Sequence, residues 1–170
     1  MKPLLQGHED PVTVLVAYEI EAISDGDIVR WANRHTAPPS YTEDAAYVQL
    51  VRSNPHSAIS LKNAHGHLTS LVARCFPDFK GKSDEAREIA RKLFLQRIRT
   101  YLDGEIEPFQ VCSMVSSIEN RYDFPPWLGD LYDACDWVDE RTTREQASHL
   151  RETIEQTLAE NAECQSFGSE

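Results

Sequence analysis

Apolar residues recur every three or four positions along most of this chain, and the rhythm breaks at prolines and capping residues. The clearest stretch follows Ser83. Ala86, Ile89, Ala90, Leu93, Phe94, Ile98, Tyr101 and Leu102 share one helical face, and Gly104 stands where a left-handed terminator belongs. Pro108 opens another helix with Val111, Cys112, Val115, Ile118 and Tyr122 inward. After the turn Asp123-Phe124-Pro125-Pro126, a further helix is expected to carry Leu128, Leu131, Cys135 and Val138. Thr142 and Glu145 read as a capping box. The last helix then carries Ala147, Leu150, Ile154 and Leu158 on a heptad-like stripe, with the tail fraying beyond about Asn161.

The N-terminal half repeats the logic with shorter elements. Asp10-Pro11 is a cap followed by a first-turn proline and predicts a helix over 12–22, although Val12–Val16 is β-rich enough to form a strand instead. Ser24 caps a second helix with Ile28, Trp31, Ala32 and His35 on one face, stopped by Pro38-Pro39. Thr42 is placed to cap a third, with Ala46, Tyr47, Leu50 and Val51 inward. Asn54-Pro55 opens a longer stretch to about Cys75, in which Ile59, Leu61, Leu68, Leu71 and Val72 are core candidates and Gly66 weakens continuity. No repeat and no long linker interrupts the pattern. The expected fold is all-α: a compact single-domain bundle of about seven to eight helices over residues 1–162, with 163–170 as a frayed tail.

Composition changes the picture mainly through charge. The net charge is −11, and it is not evenly spread. Residues 103–170 hold 16 Asp and Glu against 4 Lys and Arg, while residues 1–102 hold 12 against 13. An acidic end on a balanced body repels nucleic acid and anionic lipid and attracts cationic partners. No apolar run approaches the ~18 residues that span a bilayer, and the first nine residues lack the order of a signal peptide. The four cysteines, Cys75, Cys112, Cys135 and Cys164, are far apart and form no CxxC pair, which points to reduced thiols and a cytoplasmic protein. Cys112 and Cys135 fall on apolar stripes and read as small packing residues.

Candidate chemistry is sparse. His56, His65, His67 and Cys75 are of zinc-ligand type, yet residues two apart on a helix point about 200° from each other, so His65 and His67 share no face and no metal site is expected. No Gly-x-Ser-x-Gly elbow, Walker loop or GxGxxG pattern occurs, which disfavours the common hydrolases and nucleotide enzymes, and no cofactor is implied. Arg87, Arg91, Lys92, Arg97 and Arg99 form a basic helix interleaved with Glu85 and Glu88. On a chain this acidic it suits internal docking, or a molecular dipole, better than nucleic acid. Asp130, Asp133, Asp136, Asp139 and Glu140 spread around the exposed half of their expected helix rather than converging, so they do not make an acid–base pair. They form either a solvated face or a docking surface. Trp127 and Trp137 flank them, with Tyr122 and Tyr132 near in sequence. Aromatic area beside steering charge suits an interface, unless both tryptophans cover the core.

Tyr101-Leu102-Asp103-Gly104-Glu105-Ile106-Glu107-Pro108-Phe109, continuing to Pro126-Trp127-Leu128-Gly129-Asp130-Leu131-Tyr132-Asp133, resembles small bacterial helical immunity proteins over about residues 83–160. The resemblance implies a non-catalytic, stoichiometric inhibitor of a basic toxin, in some cases a nuclease, and it assigns no residue a role. The partner-binding residues expected from the charge and aromatic pattern are Trp127, Asp130, Asp133, Asp136, Trp137, Asp139 and Glu140. An adaptor that oligomerises through the Ala147–Leu158 stripe is the alternative, and a hydrolase with an unrecognised site is the third reading.

Overall fold

Side-chain caps mark where most helices of the N-terminal half begin. The computed structural model describes residues 3–36 and 41–166, and among these it is all-helical, with no strand and 63% helix. The elements are α1 (Pro11–Glu19), α2 (Asp25–Arg34), α3 (Ala45–Arg52), α4 (Ala58–Leu61), α5 (Ala64–Cys75), α6 (Asp84–Leu102), α7 (Pro108–Tyr122), a 3-10 turn (Pro126–Leu128), α8 (Leu131–Ala134) and α9 (Ser148–Ser166). Contacts divide the chain into two compact units, Met1–Ala90 and Arg91–Glu170.

In the first unit the Asp10 carboxylate accepts from the Thr13 N–H at 2.7 Å, and Pro11 follows in the first turn, so the β-rich run Val12–Val16 is helix. Burial explains the choice. Pro11, Val12, Val14, Leu15, Val16 and Ala17 are all buried, and a helix that is apolar on every side is held by packing rather than by propensity. Ser24 and Asp27 close a capping box on α2, with the Ser24 N–H donating to Asp27 at 2.9 Å. α3 is capped by Asp44, not by Thr42. The Asp44 carboxylate accepts from the Ala46 N–H at 2.9 Å and takes both the Nε and an Nη of Arg74 on α5 at 2.8 Å. That fork ties α3 to α5, and the Arg74 hydrogen bonds together with the capping N–H groups hold the Asp44 carboxyl below its ordinary range.

α5 is central to the first unit and packs against α1, α2 and α3. Leu68, Leu71 and Val72 meet Val14, Leu15, Ile28, Val29 and Leu50 there. The long helix expected from Asn54 divides. Asn54 accepts from the His56 N–H at 2.9 Å in an Asx turn, α4 is a single turn, and α5 restarts at Ala64. Ile59, expected inside, is exposed as a result, and Val51 of α3, also expected inside, is exposed too. Gly66 lies within continuous α5. The Pro38-Pro39 stop lies outside the described residues.

His35, Tyr41 and Tyr47 form the polar heart of this unit. His35 Nδ1 lies 2.7 Å from the Gly7 carbonyl oxygen and therefore carries the proton, so Nε2 accepts from the Tyr41 hydroxyl at 2.6 Å. Burial, with Tyr47 nearby, pushes the Tyr41 hydroxyl up to about 12, which keeps it a donor. Trp31 packs on His35 and donates its indole N–H to the Glu9 carbonyl at 3.0 Å.

In the second unit Phe94, Ile98, Val111, Met114, Val115, Ile118, Tyr122, Leu128, Leu131, Leu150 and Ile154 are buried. Gly104 ends α6 at φ +82°, where a residue with a Cβ is strained. Arg144 fastens the next turn. It donates to the Tyr101 carbonyl at 2.8 Å and to the Ile106 carbonyl, and its guanidinium lies 5.0 Å from the Tyr101 ring centroid. The capping box before α9 is Thr143 with Gln146, one residue later than expected, because Thr142 bonds back to Asp139. α9 continues to Ser166, past the expected end near Asn161, and 167–170 lie outside the described residues.

The largest correction concerns the acidic helix. Only Leu131–Ala134 is helical. Gly129 at φ +53° ends the 3-10 turn, and after Ala134 the chain goes on in turns in which Asp136 donates to Asp133 and Val138 to Cys135. Aspartates three apart repel along a helix, and their short side chains favour turns, so the spacing that looked helical opposes a helix. A second correction is covalent. Cys112 of α7 and Cys135 are joined as a disulfide with Cα atoms 5.4 Å apart, and neither is a reduced packing thiol.

Candidate functional site

The expected partner-binding residues all belong to the second unit, but they do not form one face. Trp127 is half-buried, with its ring centroid 5.8 Å from that of Phe94. With Asp130 it lines a shallow cleft of about 460 Å³ against Thr153, Gln156, Glu160 and Asn161 of α9. Trp137 is 93% exposed, so one tryptophan packs and the other does not. Asp133, Asp136 and Glu140 are exposed. Asp139 is exposed too, but its carboxylate is engaged by the Arg141 N–H at 2.8 Å and the Thr142 hydroxyl at 3.1 Å, which builds its own turn. Tyr122 is fully buried, whereas Tyr132 is largely open.

Asp136 belongs to a second cleft, of about 500 Å³, between α7 and the chain around α8. Phe109, Cys112, Ser113, Ser116 and Glu119 line it from α7. On a helix these five positions fall within about 120° of one another, next to the buried stripe of Val111, Val115, Ile118 and Tyr122. Tyr132, Cys135, Asp136 and Val138 form the opposite wall. The disulfide joins the two walls, so the width of the cleft is covalently limited. Beside it the Phe124 and Tyr132 rings meet edge to face with centroids 5.6 Å apart. Burial against the wall, and secondarily the charge of Asp136, push the Glu119 carboxyl above its ordinary range. Among the described residues no cation is paired with Glu119 or Asp136.

Sequence reasoning missed Phe109, Glu119, Phe124 and the disulfide. A signal for the first two was present. Phe109 lies off the apolar stripe of its own helix, and Glu119 shares its edge at helical spacing. No comparable signal existed for the Cys112–Cys135 pairing, which depends on α8 returning beside α7.

Other candidates resolve as structure. His65 stacks on Tyr18 with centroids 4.5 Å apart. Among the described residues no group of three or more His, Cys, Asp or Glu side chains is arranged to hold a metal ion, and no helix is long and apolar enough to cross a membrane. On the stripe expected for oligomerisation, Ala147, Leu150 and Ile154 are buried within the chain and Leu158 is half-buried. No family model matches the chain, and neither a curated protein nor a solved structure shows a significant match to it.

Proposed function

We propose that this chain is a binding protein, not an enzyme, and that its second unit captures a cationic protein in the manner of an immunity protein neutralising a basic toxin. The observation that carries the reading is the exposure of Trp137 among Asp133, Asp136, Asp139 and Glu140. A fully exposed tryptophan stabilises nothing in the fold, whereas beside steering carboxylates it supplies the desolvated area of an interface. Residues 103–170, which carry this cluster, hold 16 Asp and Glu against 4 Lys and Arg, so the field around Trp137 is negative. Against an adaptor that oligomerises through the α9 stripe stands the burial of Ala147, Leu150 and Ile154, with Leu158 half-buried. The Cys112–Cys135 disulfide means that the cysteines give no support to a cytoplasmic location.

The test is surface plasmon resonance against the product of the adjacent gene at two ionic strengths. Reversing Asp130, Asp133 and Asp136 together to Lys slows association and flattens its salt dependence, while Trp137→Ala speeds dissociation. Unchanged association for the triple reversal would reduce the acidic face to a solubility device.

A further inference from the structure

The cleft that the disulfide closes differs from the rest of the acidic surface. It is concave, it is walled on both sides by apolar or aromatic groups, and one of its two carboxylates, Glu119, is half-buried. We propose, building on the cationic-partner reading above, that this cleft takes the side chain of a lysine or arginine presented by a peptide segment of the protein partner. The aliphatic stem lies between Phe109 and Tyr132 over the Cys112–Cys135 bridge, and the charged head reaches Glu119 and Asp136.

Size, charge and surroundings each narrow the occupant. A cleft of about 500 Å³ is larger than one side chain and leaves room for the backbone that carries it. It falls within the ~300–1,000 Å³ of ordinary ligand sites. Two carboxylates facing it exclude an anion. They also disfavour a wholly apolar segment, which would bury both charges without a partner. A second copy of this chain, itself at −11, is opposed by the same field. A long side chain with an apolar stem and a cationic end satisfies both walls at once. The exposed ring of Phe124, edge to face against Tyr132, extends the contact beyond the cleft and favours a peptide over a small free cation.

The intact chain, labelled with ¹⁵N, is titrated with a ten-residue peptide alternating lysine and leucine, with its glutamate–leucine counterpart, and with spermine. The lysine peptide is expected to shift the amide signals of Ser113, Ser116, Glu119, Tyr132 and Val138 saturably, and the glutamate peptide to leave them in place. Glu119→Gln and Phe109→Ala, neither of which empties the core, each weaken the lysine peptide five- to tenfold with an unchanged circular dichroism spectrum. If both variants bind as the parent does while the Asp130/Asp133/Asp136 reversal weakens binding, the cleft assignment falls and the acidic-face reading stands. Spermine matching the peptide in shifts and affinity would make the cleft a simple polycation site and overturn the peptide assignment. Absence of any lysine-peptide binding would overturn both readings.

Discussion

Both units bury aromatic residues in their cores, but among the described residues only the second also leaves large rings exposed. In Met1–Ala90, Trp31, Tyr41 and Tyr47 are buried, and their polar ends reach His35 or a backbone carbonyl. In Arg91–Glu170, Phe94, Tyr101 and Tyr122 are also buried, but Phe109, Phe124, Tyr132 and Trp137 are exposed. The large exposed hydrophobics of the first unit are the aliphatics Val51 and Ile59. Buried rings with satisfied polar tips contribute stability and a single packing arrangement. Exposed rings beside carboxylates contribute nothing to that and are available to a partner. The second unit holds nine aromatic residues against six in the first, and the placement of the rings separates the two further.

The comparison is broken most directly by truncating one tryptophan from each unit. Trp31→Ala empties a buried site and removes the hydrogen bond to Glu9, at a cost of about 3–5 kcal/mol in chemical denaturation. Trp137→Ala stays within about 0.5 kcal/mol of the parent. Equal losses at the two positions would mean that Trp137 is part of the fold. The next effect in size belongs to the second unit. Replacing Cys112 and Cys135 by Ser opens a link spanning 23 residues of sequence separation. For loops of that length the expected loss is about 3 kcal/mol. The same loss should appear in the parent under reductant, and it should widen amide exchange around α8 before it reaches α1–α5. A uniform loss of protection across both units would remove the distinction between them.

Smaller effects sharpen the contrast through pH. Asp44→Ala removes the α3 cap, at about 1 kcal/mol, together with the fork to Arg74. The folded carboxyl lies below its unfolded value, so its stabilisation is present above the ordinary carboxylate range and is lost as pH falls through and below it. Parent and variant should therefore converge in acid. Glu119 has the reverse sign. Its folded carboxyl lies above the unfolded value, so its ionisation lowers stability as pH rises out of the carboxylate range. Glu119→Gln should raise the thermal midpoint slightly at neutral pH and leave it unchanged in acid. A lower midpoint at neutral pH would show that Glu119 has a stabilising partner.

Local signals were legible where the physics is local. Asp10-Pro11, the Ser24 box, Ser83 and Gly104 act within one turn of their own position, and each begins or ends a helix as read. Two caps fall elsewhere than the sequence places them, because a partner outside the turn chooses. Thr42 gives way to Asp44, which Arg74, thirty residues away, engages. Thr142 is held by Asp139, and Thr143 takes the box with Gln146. The acidic residues of the candidate site were visible as a cluster, but periodicity extended a helix through them that repulsion and Gly129 interrupt.

Sequence by itself determined the helical class, most helix starts, the charge asymmetry and the lack of a known catalytic motif, because these depend on composition and on contacts within a turn. Tertiary structure alone decided that Val12–Val16 is buried helix, that Ile59 is outside and that Trp127 packs while Trp137 does not. It also decided that Cys112 meets Cys135. Each of these depends on which distant element returns to cover a position. A chain that closes a cleft between α7 and the segment around α8 sets that by packing, and the spacing of residues along either segment does not encode it.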